Sequence, residues 1–266
     1  MDLTALAGVK ALLLDLDGTL YLGDQLFDWT PGFLAAVRER GLRRLFMTNN
    51  CTRNVAQYVE KLNRLGVDAA ADDIITSGQS AALYLGEHPE IRRVYVLGTE
   101  ALAGDVRDCG KEVVASGADA VLVGFPTNLT YETLCGAAWQ LQRGARFLAT
   151  HPDPACPDPR GLLPDCGAIC RCLATATGRE PEEVFGKPSE WMLRLAAERA
   201  GVGPGELAVV GDRLMTDIRM GAEHGMPTVL VLSGATCRDD LARSPVQPDL
   251  VFDHVGALAE ALRQLP

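Results

Sequence analysis

The stretch from Lys10 to Leu20 constrains the chain most, because an apolar run leads directly into two acids and a glycine. Residues Ala11 to Leu14 are continuously apolar, which is typical of a strand covered on both faces of a parallel sheet. If the backbone stays extended past that run, its period of two places Asp15 and Asp17 on one side. Gly18 then permits a tight turn that would direct backbone N–H groups toward Asp15. A solvated Asp-Gly turn explains the same residues, so the choice depends on the rest of the chain.

Charge and composition narrow the class of protein. The 266 residues allow one large domain or two modest ones, and 35 Asp plus Glu against 25 Lys plus Arg give a formal net charge of -10. Nucleic acid and anionic membranes are therefore not expected partners. The N-terminus lacks the positive region of a secretory signal, and no apolar run approaches the roughly 20 residues that span a bilayer. We expect a soluble, cytoplasmic protein.

The eight cysteines are expected to be reduced thiols, since the chain shows no secretory signal. Cys166 and Cys170 would share a helix face, whereas Cys172 would point elsewhere. His151 is the nearest imidazole in sequence, and no Cys-x-x-Cys pair occurs. We favour small buried hydrophobic residues over a zinc site, and the sequence leaves open any role of the three clustered cysteines beyond packing.

The order of predicted elements indicates an α/β fold. Strands and helices alternate over 1–83, a second α/β unit follows over 84–183, and the first pattern returns over 184–266. Such alternation favours a parallel sheet with helices on both faces. The loop over 150–161 contains four prolines, too many for a helix or a central strand.

Polar residues follow three of the predicted strands, and the carboxyl ends of parallel strands lie at one edge of a sheet where ligands bind. These groups are Asp15 and Asp17, Thr48 and Asn49, and Asp212 with Asp217. Lys187 adds a cation just before a predicted helix. Each has an ordinary explanation: Lys187 as a surface lysine, 48–50 as an Asx turn or cap, and Asp217 as a helix N-terminal acid.

Four fragments in order carry a resemblance, namely Asp15-Leu16-Asp17-Gly18-Thr19, Thr48-Asn49-Asn50, Gly186-Lys187-Pro188 and the stretch from Gly211 to Ile218. Together they resemble the ordered motifs of the haloacid dehalogenase superfamily. The forms of the second and fourth motifs, and the insertion after the second, further resemble the NagD-like branch, which includes p-nitrophenyl, pyridoxal and phosphoglycolate phosphatases. The resemblance implies a Rossmann-like doubly wound core, 1–83 with 184–266, and an inserted smaller α/β cap, 84–183.

The resemblance also implies a role for each motif residue in a Mg²⁺-dependent phosphatase. Asp15 is expected to be nucleophile and metal ligand, while Asp17 supplies acid–base catalysis through its carboxyl and a metal ligand through its carbonyl. Asp212 is the third metal ligand. Phosphate would be bound by Thr48, Asn49 and Lys187, with Gly18, Asn50 and Asp217 in support.

The predicted cap departs from the branch where a substrate-specificity loop is expected. This chain has His151-Pro152-Asp153 where the branch usually has Asn-Pro-Asp, and Pro164-Asp165-Cys166-Gly167 where Pro-Gly-x-Gly is frequent. Because the cap selects the leaving group in this family, the changes leave the substrate open beyond a small phosphorylated metabolite. Cap surfaces in the branch often carry a dimer interface, so a homodimer is a further expectation.

Two other interpretations remain at this point. A phosphomutase or phosphonate hydrolase could use the same core, although the large insertion favours simple hydrolysis. A catalytically silent protein could use the cap to hold a ligand, although nucleophile, acid, metal carboxylate and lysine are all present. Signatures of other enzyme classes, such as Gly-x-Ser-x-Gly and the Walker loop, do not occur.

Overall fold

A computed structural model of the protein describes residues 3–158 and 160–264, which fall into two compact units. The first unit contains the described residues of 1–48, 59–75 and 193–266. The second contains those of 49–58 and 76–192. The second unit is thus wider than the inserted segment 84–183, whose identity as a functional cap stays a prediction.

Strands and helices alternate along most of the described chain. The strands are β1 (Ala11–Asp15), β2 (Tyr21–Leu22), β3 (Gln25–Leu26), β4 (Arg43–Thr48), β5 (Ile74–Thr76), β6 (Arg93–Leu97), β7 (Glu112–Val113), β8 (Ala120–Val123), β9 (Arg146–Ala149), β10 (Ala155–Asp158), β11 (Gly161–Pro164), β12 (Glu183–Val184), β13 (Leu207–Gly211), β14 (Thr228–Val231) and β15 (Leu250–Phe252). The helices are α1 (Thr30–Glu39), α2 (Val55–Arg64), α3 (Ser77–Glu87), α4 (Glu100–Asp108), α5 (Tyr131–Gln142), α6 (Cys166–Thr177), α7 (Glu190–Ala200), α8 (Arg219–His224), α9 (Arg238–Arg243) and α10 (Val255–Gln264). None of the helices described is long and apolar enough to cross a membrane.

The first unit is built on a six-stranded sheet with the order β15-β14-β13-β1-β4-β5. Strand β1 lies between β13 and β4 and pairs in parallel with both, so that Leu14 is opposite Val210 and Phe46. All five residues of β1 are buried, as expected for a central strand of a parallel sheet. This register places the carboxyl ends of β1, β4 and β13 side by side and confirms the predicted α/β class.

The second unit has its own five-stranded sheet, with the order β12-β9-β8-β6-β7 and parallel pairing. Successive residues of β8 enter different hydrophobic clusters: Leu122 packs in one, and Val121 and Val123 pack in the other. The period of two of an extended strand thus places apolar side chains in both clusters. This explains why the sequence shows an uninterrupted apolar run over Ala120–Val123.

Short elements were missed by the sequence analysis. The hairpin β2–β3 has two residues in each strand, too few for any periodicity to be visible. The four-proline loop contains the antiparallel hairpin β10–β11, a separate two-stranded sheet. Proline is tolerated there because a two-stranded ribbon consists of edge strands only. Helices α3 and α9 were also not predicted.

The backbone leaves the sheet immediately after Asp15, one residue earlier than we assumed. Asp17 forms an isolated bridge with Tyr21, and the Gly18 N–H donates to the Tyr21 carbonyl at 2.8 Å. Gly18 has a φ of +91°, a conformation that L side chains rarely adopt. The predicted tight turn at this glycine is therefore present, but the N–H groups of Gly18 and Thr19 donate to the carbonyls of Tyr21 and Leu16 instead of pointing to Asp15 as predicted.

Candidate active site

Three buried carboxylates meet at the carboxyl edge of the first unit's sheet. Asp15 ends β1, Asp212 follows β13, and Asp217 lies in a π-helical turn, Leu214–Ile218. One carboxylate oxygen from each lies within 4.8 Å of the others, and the residues are 8%, 1% and 0% exposed. The predicted convergence of the first and fourth motifs is thus seen, and Asp217 joins the cluster directly. The cluster found among the described residues does not include the Asp17 carboxylate.

The surroundings of Asp212 disfavour its charged form. Burial raises the pKa of Asp212 well above its ordinary value, and the neighbouring Asp15 and Asp217 raise it further. The Ala235 N–H donates to Asp212 Oδ2 at 2.5 Å and opposes this shift. Asp212 Oδ1 is buried, and it has no hydrogen-bond partner in the described part of the chain. Such an oxygen is normally satisfied by a protein donor, a water molecule or an ion.

The residues fit a hard divalent cation. Carboxylate oxygens are the ligands that Mg²⁺ and Ca²⁺ prefer, and a cation would both offset the mutual repulsion and engage Asp212 Oδ1. The side chains that could hold it are Asp15, Asp212 and Asp217. The Asp17 carbonyl stays a predicted additional ligand.

The local fold of the fourth motif holds Asp217 against Asp212. Ile218 donates its N–H to the Arg213 carbonyl at 3.2 Å, which is the wide spacing of a π-helical turn. The Arg213 N–H donates in turn to Asp217 Oδ2 at 3.1 Å. A Cβ at Gly211 would overlap the Asp217 carboxylate, so a glycine is needed before Asp212. The ordinary helix start predicted at Asp217 is instead this turn, followed by α8.

A loop after β14 completes the surroundings of Asp212 and was missed by the sequence analysis. A Cβ at Gly234 would overlap the Asp212 carboxylate, and one at Gly18 would lie 2.5 Å from Asp212 Oδ2. The Ser233 hydroxyl donates to the Gly18 carbonyl at 2.8 Å, which joins this loop to the first motif. The available signal was a Ser-Gly pair directly after a strand of the same sheet.

Thr19 and Thr48 are buried polar residues at the same sheet edge. The Thr19 hydroxyl donates to Asp15 Oδ2 at 3.2 Å and so orients the predicted nucleophile. Thr48 is the last residue of β4, beside β1 in the sheet. Its position agrees with the predicted edge, while its phosphate contact stays a prediction.

In the second unit, the side-chain amide of Asn49 binds the backbone of Lys187 at two points. The Lys187 N–H donates to Asn49 Oδ1 at 2.7 Å, and Asn49 Nδ2 donates to the Lys187 carbonyl at 3.3 Å. Asn49 Nδ2 also donates to Asp153 Oδ2 at 2.8 Å. All three residues are buried. Asn49 thus contacts Asp153, which is 104 positions away in sequence, and Lys187, which is 138 positions away. Asn49 and Lys187 are predicted phosphate-binding residues, and Asp153 is a predicted loop residue.

His151 is fully built into the second unit, at 1% exposure. Its Nδ1 is 2.8 Å from Thr150 Oγ1, and its Nε2 is 2.9 Å from Asp165 Oδ1. Burial alone would lower the pKa of His151, but Cys166 and Asp165 outweigh it and hold that pKa well above its usual value. Burial also raises the pKa of the Cys166 thiol. Pro152 is exposed. The specificity role of residues 151–153 stays a prediction.

Two other predicted features have ordinary local partners. Asn50 Oδ1 accepts from the Thr52 N–H at 2.9 Å and from the Thr52 hydroxyl at 2.6 Å, which is an Asx turn. Cys166 and Cys170 are buried on one face of α6 with sulfur atoms 4.0 Å apart, whereas Cys172 is exposed. The cysteines therefore sit as the helix period predicted.

Comparison with known proteins identifies the family. The haloacid dehalogenase-like hydrolase model matches residues 12–112, and a HAD-hydrolase-like model matches residues 184–258. An acid sugar phosphatase of Staphylococcus aureus is 35% identical over 253 residues, which cover 94% of this chain and 97% of the relative.

Two solved structures share the whole fold. The 4-nitrophenylphosphatase of Thermotoga maritima superimposes with a TM-score of 0.92 at 37% identity, covering 97% of this chain and 99% of that one. The glycerol phosphate phosphatase of Mycobacterium tuberculosis in complex with magnesium gives a TM-score of 0.88 at 34% identity, covering 97% and 79%. With its buried carboxylates and ordered motifs, the chain belongs to the haloacid dehalogenase-like hydrolases, in the NagD-like branch of phosphatases.

Proposed function

We propose that this protein is a Mg²⁺-dependent phosphatase that hydrolyses small phosphomonoesters through an aspartyl-phosphate on Asp15. The observation that carries the proposal is the cluster of Asp15, Asp212 and Asp217, buried at the sheet edge with Asp212 Oδ1 lacking a donor among the described residues. A structural role explains three converging carboxylates poorly, because their repulsion destabilises the fold. A site for a cation and a phosphate explains them well.

The reaction proceeds in two displacements. An Asp15 carboxylate oxygen forms a bond to phosphorus while the bond from phosphorus to the leaving oxygen breaks, and the Asp17 carboxyl donates a proton to that oxygen. Asp17, now ionised, then accepts a proton from a water molecule as its oxygen attacks phosphorus. The bond to Asp15 breaks, and both carboxyl groups return to their starting states. The Thr19 hydroxyl, 3.2 Å from Asp15 Oδ2, keeps the nucleophile oriented.

A bound Mg²⁺ would be held by Asp15, Asp212 and the Asp17 carbonyl, with Asp217 close enough to contribute. When bound, the ion neutralises charge on the phosphoryl oxygens and on the carboxylates, so that an anionic nucleophile can approach an anionic substrate. The glycerol phosphate phosphatase of M. tuberculosis has been solved in complex with magnesium and in complex with calcium, which supports a hard divalent cation at this site.

Phosphate oxygens are assigned to Thr48, Asn49 and Lys187. Positioning and charge stabilisation are most of what phosphoryl transfer requires from a protein. Thr48 offers a hydroxyl at the edge that carries Asp15, and Asn49 has a main-chain N–H to offer because its side chain is committed to Lys187 and Asp153. Lys187 supplies the positive charge.

The substrate class is a small phosphorylated metabolite. The named activities of the relatives cover acid sugar, 4-nitrophenyl and glycerol phosphates, which share a monoester phosphate and differ in the leaving group. We propose that the second unit chooses among them, and kcat/KM across sugar phosphates, glycerol phosphate, nucleoside monophosphates, pyridoxal phosphate and phosphoglycolate ranks the candidates. Release of inorganic phosphate, rather than an isomeric phosphate ester, distinguishes hydrolysis from a mutase reaction.

The test of the mechanism is Asp15→Asn, with Asp24→Asn as the matched control because Asp24 is an exposed carboxylate paired with Arg64 in the same unit. We expect Asp15→Asn to lower release of p-nitrophenol from p-nitrophenyl phosphate by at least about 10³-fold, since the amide is no nucleophile. The control should keep full activity. An acid-quenched sample of the wild type should contain a phosphoryl adduct on the peptide that carries Asp15. Undiminished turnover by Asp15→Asn would overturn the proposal.

A further inference from the structure

The position of Lys187 is fixed through its backbone by the side chain of Asn49. The amide of Asn49 accepts from the Lys187 N–H at 2.7 Å and donates to the Lys187 carbonyl at 3.3 Å. This pairing requires Oδ1 of Asn49 on one side and Nδ2 on the other. An amide rotated by half a turn would put two acceptors and two donors face to face, so its orientation decides whether the contact exists.

We propose that Asp153 is a positioning residue that fixes the Asn49 amide and, through it, Lys187. A carboxylate is only an acceptor, and Asp153 Oδ2 lies 2.8 Å from Asn49 Nδ2. Asp153 therefore selects the orientation in which Asn49 Oδ1 is left for the Lys187 N–H. This inference rests on the proposed function, in which the Lys187 ammonium stabilises the transferring phosphoryl group. Asp153, which belongs to the predicted specificity loop, would then act on the transferring phosphoryl group and not on the leaving group.

Asp153 is itself held rigidly by the segment that follows it. Its carbonyl accepts from the Gly167 N–H at 2.8 Å, and a Cβ at Gly167 would lie 2.9 Å from the same oxygen. The carbonyl of Pro154 accepts from the Asp165 N–H at 3.1 Å. Asp165 also binds His151 Nε2, so both ends of the short loop are tied to the start of α6.

Gly186, the residue before Lys187, packs closely against Asn49 and residues 150–151. A Cβ added at Gly186 would lie 2.6 Å from Asn49 Oδ1, 2.6 Å from His151 Cβ and 2.9 Å from the Thr150 carbonyl oxygen. The residue before Lys187 is thus packed directly on Asn49 and on the loop that carries Asp153. Because the Asn49 amide binds the Lys187 backbone directly, displacement of the amide is expected to move Lys187.

The experiment compares Asp153→Ala, Asp153→Asn and the control Asp158→Ala, whose carboxylate accepts hydrogen bonds from Arg160 beside the hairpin β10–β11. We expect Asp153→Ala to lower kcat for p-nitrophenyl phosphate by about 10- to 100-fold while KM changes less than about threefold, because a misplaced charge acts on the transition state. Asp153→Asn keeps an acceptor of the same size and should restore kcat to within about fivefold of the wild type. Asp158→Ala should change neither parameter.

A crystal structure of Asp153→Ala tests the same claim without activity. We expect the Asn49 amide to leave the Lys187 backbone or to rotate, with Lys187 Nζ displaced. If both hydrogen bonds to Lys187 persist and kcat is unchanged, the proposal is overturned, and the loss of activity in Asp15→Asn still supports the proposed function. If the wild type releases no phosphate from any substrate tested, the proposed function fails, and the crystal structure still decides whether Asp153 positions Lys187. Should Asp153→Ala fail to fold, the kcat of Asp153→Gln and its Asn49 geometry answer the question.

Discussion

Carboxylates are buried in both compact units, but their partners differ. In the first unit, Asp15, Asp212 and Asp217 face one another, and the described neighbours leave Asp212 Oδ1 without a donor. In the second unit, Asp165 binds His151 and the N-terminus of α6, while Asp153 binds Asn49. Asp212 Oδ1 has no donor among the described residues, whereas the carboxylates of Asp153 and Asp165 accept hydrogen bonds from side-chain or backbone donors of the second unit.

This difference separates two uses of a buried acid. A buried charge without a partner costs free energy, and a protein retains it where a ligand supplies the partner. A buried acid that accepts hydrogen bonds stabilises one particular geometry of the folded protein. Removing a donor leaves the acid unsatisfied and lowers the stability of the fold. Neutralising Asp212 in the first unit is therefore expected to raise the stability of the protein and to lower its activity. Removing a hydrogen-bond partner of a buried acid in the second unit is expected to lower stability.

The largest effect is expected for Asp212→Asn in the first unit. Its activity toward p-nitrophenyl phosphate should fall about 10³-fold in saturating Mg²⁺, because a metal-binding charge is removed. In EDTA the variant should be more stable than the wild type by about 1–2 kcal/mol, since burial and its two acidic neighbours raise the pKa of Asp212 and disfavour its charge. An asparagine oxygen can still accept from the Ala235 N–H.

The measurements are initial rates and thermal unfolding followed by circular dichroism, with and without EDTA. A gain of this size raises the midpoint by about 2–8 °C in a chain of this length. Asp24→Asn, at an exposed ion pair, should change neither quantity. A lower midpoint for Asp212→Asn in EDTA would contradict the inference that burial and its acidic neighbours disfavour the charge of Asp212.

An intermediate effect is expected for His151→Gln in the second unit. The imidazole is buried with both nitrogens hydrogen-bonded, so its replacement should destabilise the protein by about 2–4 kcal/mol near pH 6. The folded pKa of His151 lies above the unfolded value of about 6.5, so its contribution is fully present below that pH. The contribution is lost as the pH rises through the folded pKa. The difference between variant and wild type should therefore shrink in alkaline solution.

Urea unfolding at a series of pH values measures this difference. Asp165→Asn changes the carboxylate that contacts His151 Nε2, and in that background the His151→Gln difference should lose part of its pH dependence. A difference that grows with pH would show that the ring is buried uncharged and would remove the charge pairing from the description of this unit.

The site in the first unit was more predictable than the contacts in the second. The first follows from two local facts, that β1 and β13 are apolar strands and that Asp15 and Asp212 come at their carboxyl ends, because parallel pairing brings such ends together. The contact of Asn49 with Asp153 joins residues that are 104 positions apart, and no periodic pattern in the sequence predicts it. The same holds for the loop at Gly234, whose role appears only when a Cβ there is seen to overlap Asp212.

Asp105 in α4 gives the smallest expected effect and tests the comparison inside the second unit. Asp105 differs from Asp153 and Asp165 in the same unit, because its surroundings disfavour its charge. Burial, and then the neighbouring Asp108, raise its pKa to about 7. Its side chain packs so closely on α3 that a Cβ at Gly78 would lie 2.5 Å from Asp105 Oδ2. An acid with a raised folded pKa loses stability as pH rises from the unfolded value of about 3.9 to the folded one, and the loss then persists.

Asp105→Asn should therefore be more stable than the wild type by about 1–2 kcal/mol at pH 8, after allowance for partial exposure, and equal to it near pH 4. Urea unfolding at the two pH values measures both, and Asp108→Asn should give a smaller gain because it removes only the weaker cause. If Asp105→Asn brings no gain at pH 8, a half-buried acid beside a second acid is tolerated without cost in this protein. A missing cation would then not be needed to explain the carboxylate cluster. Asp105→Asn therefore tests whether burial of a carboxylate lowers the stability of this protein.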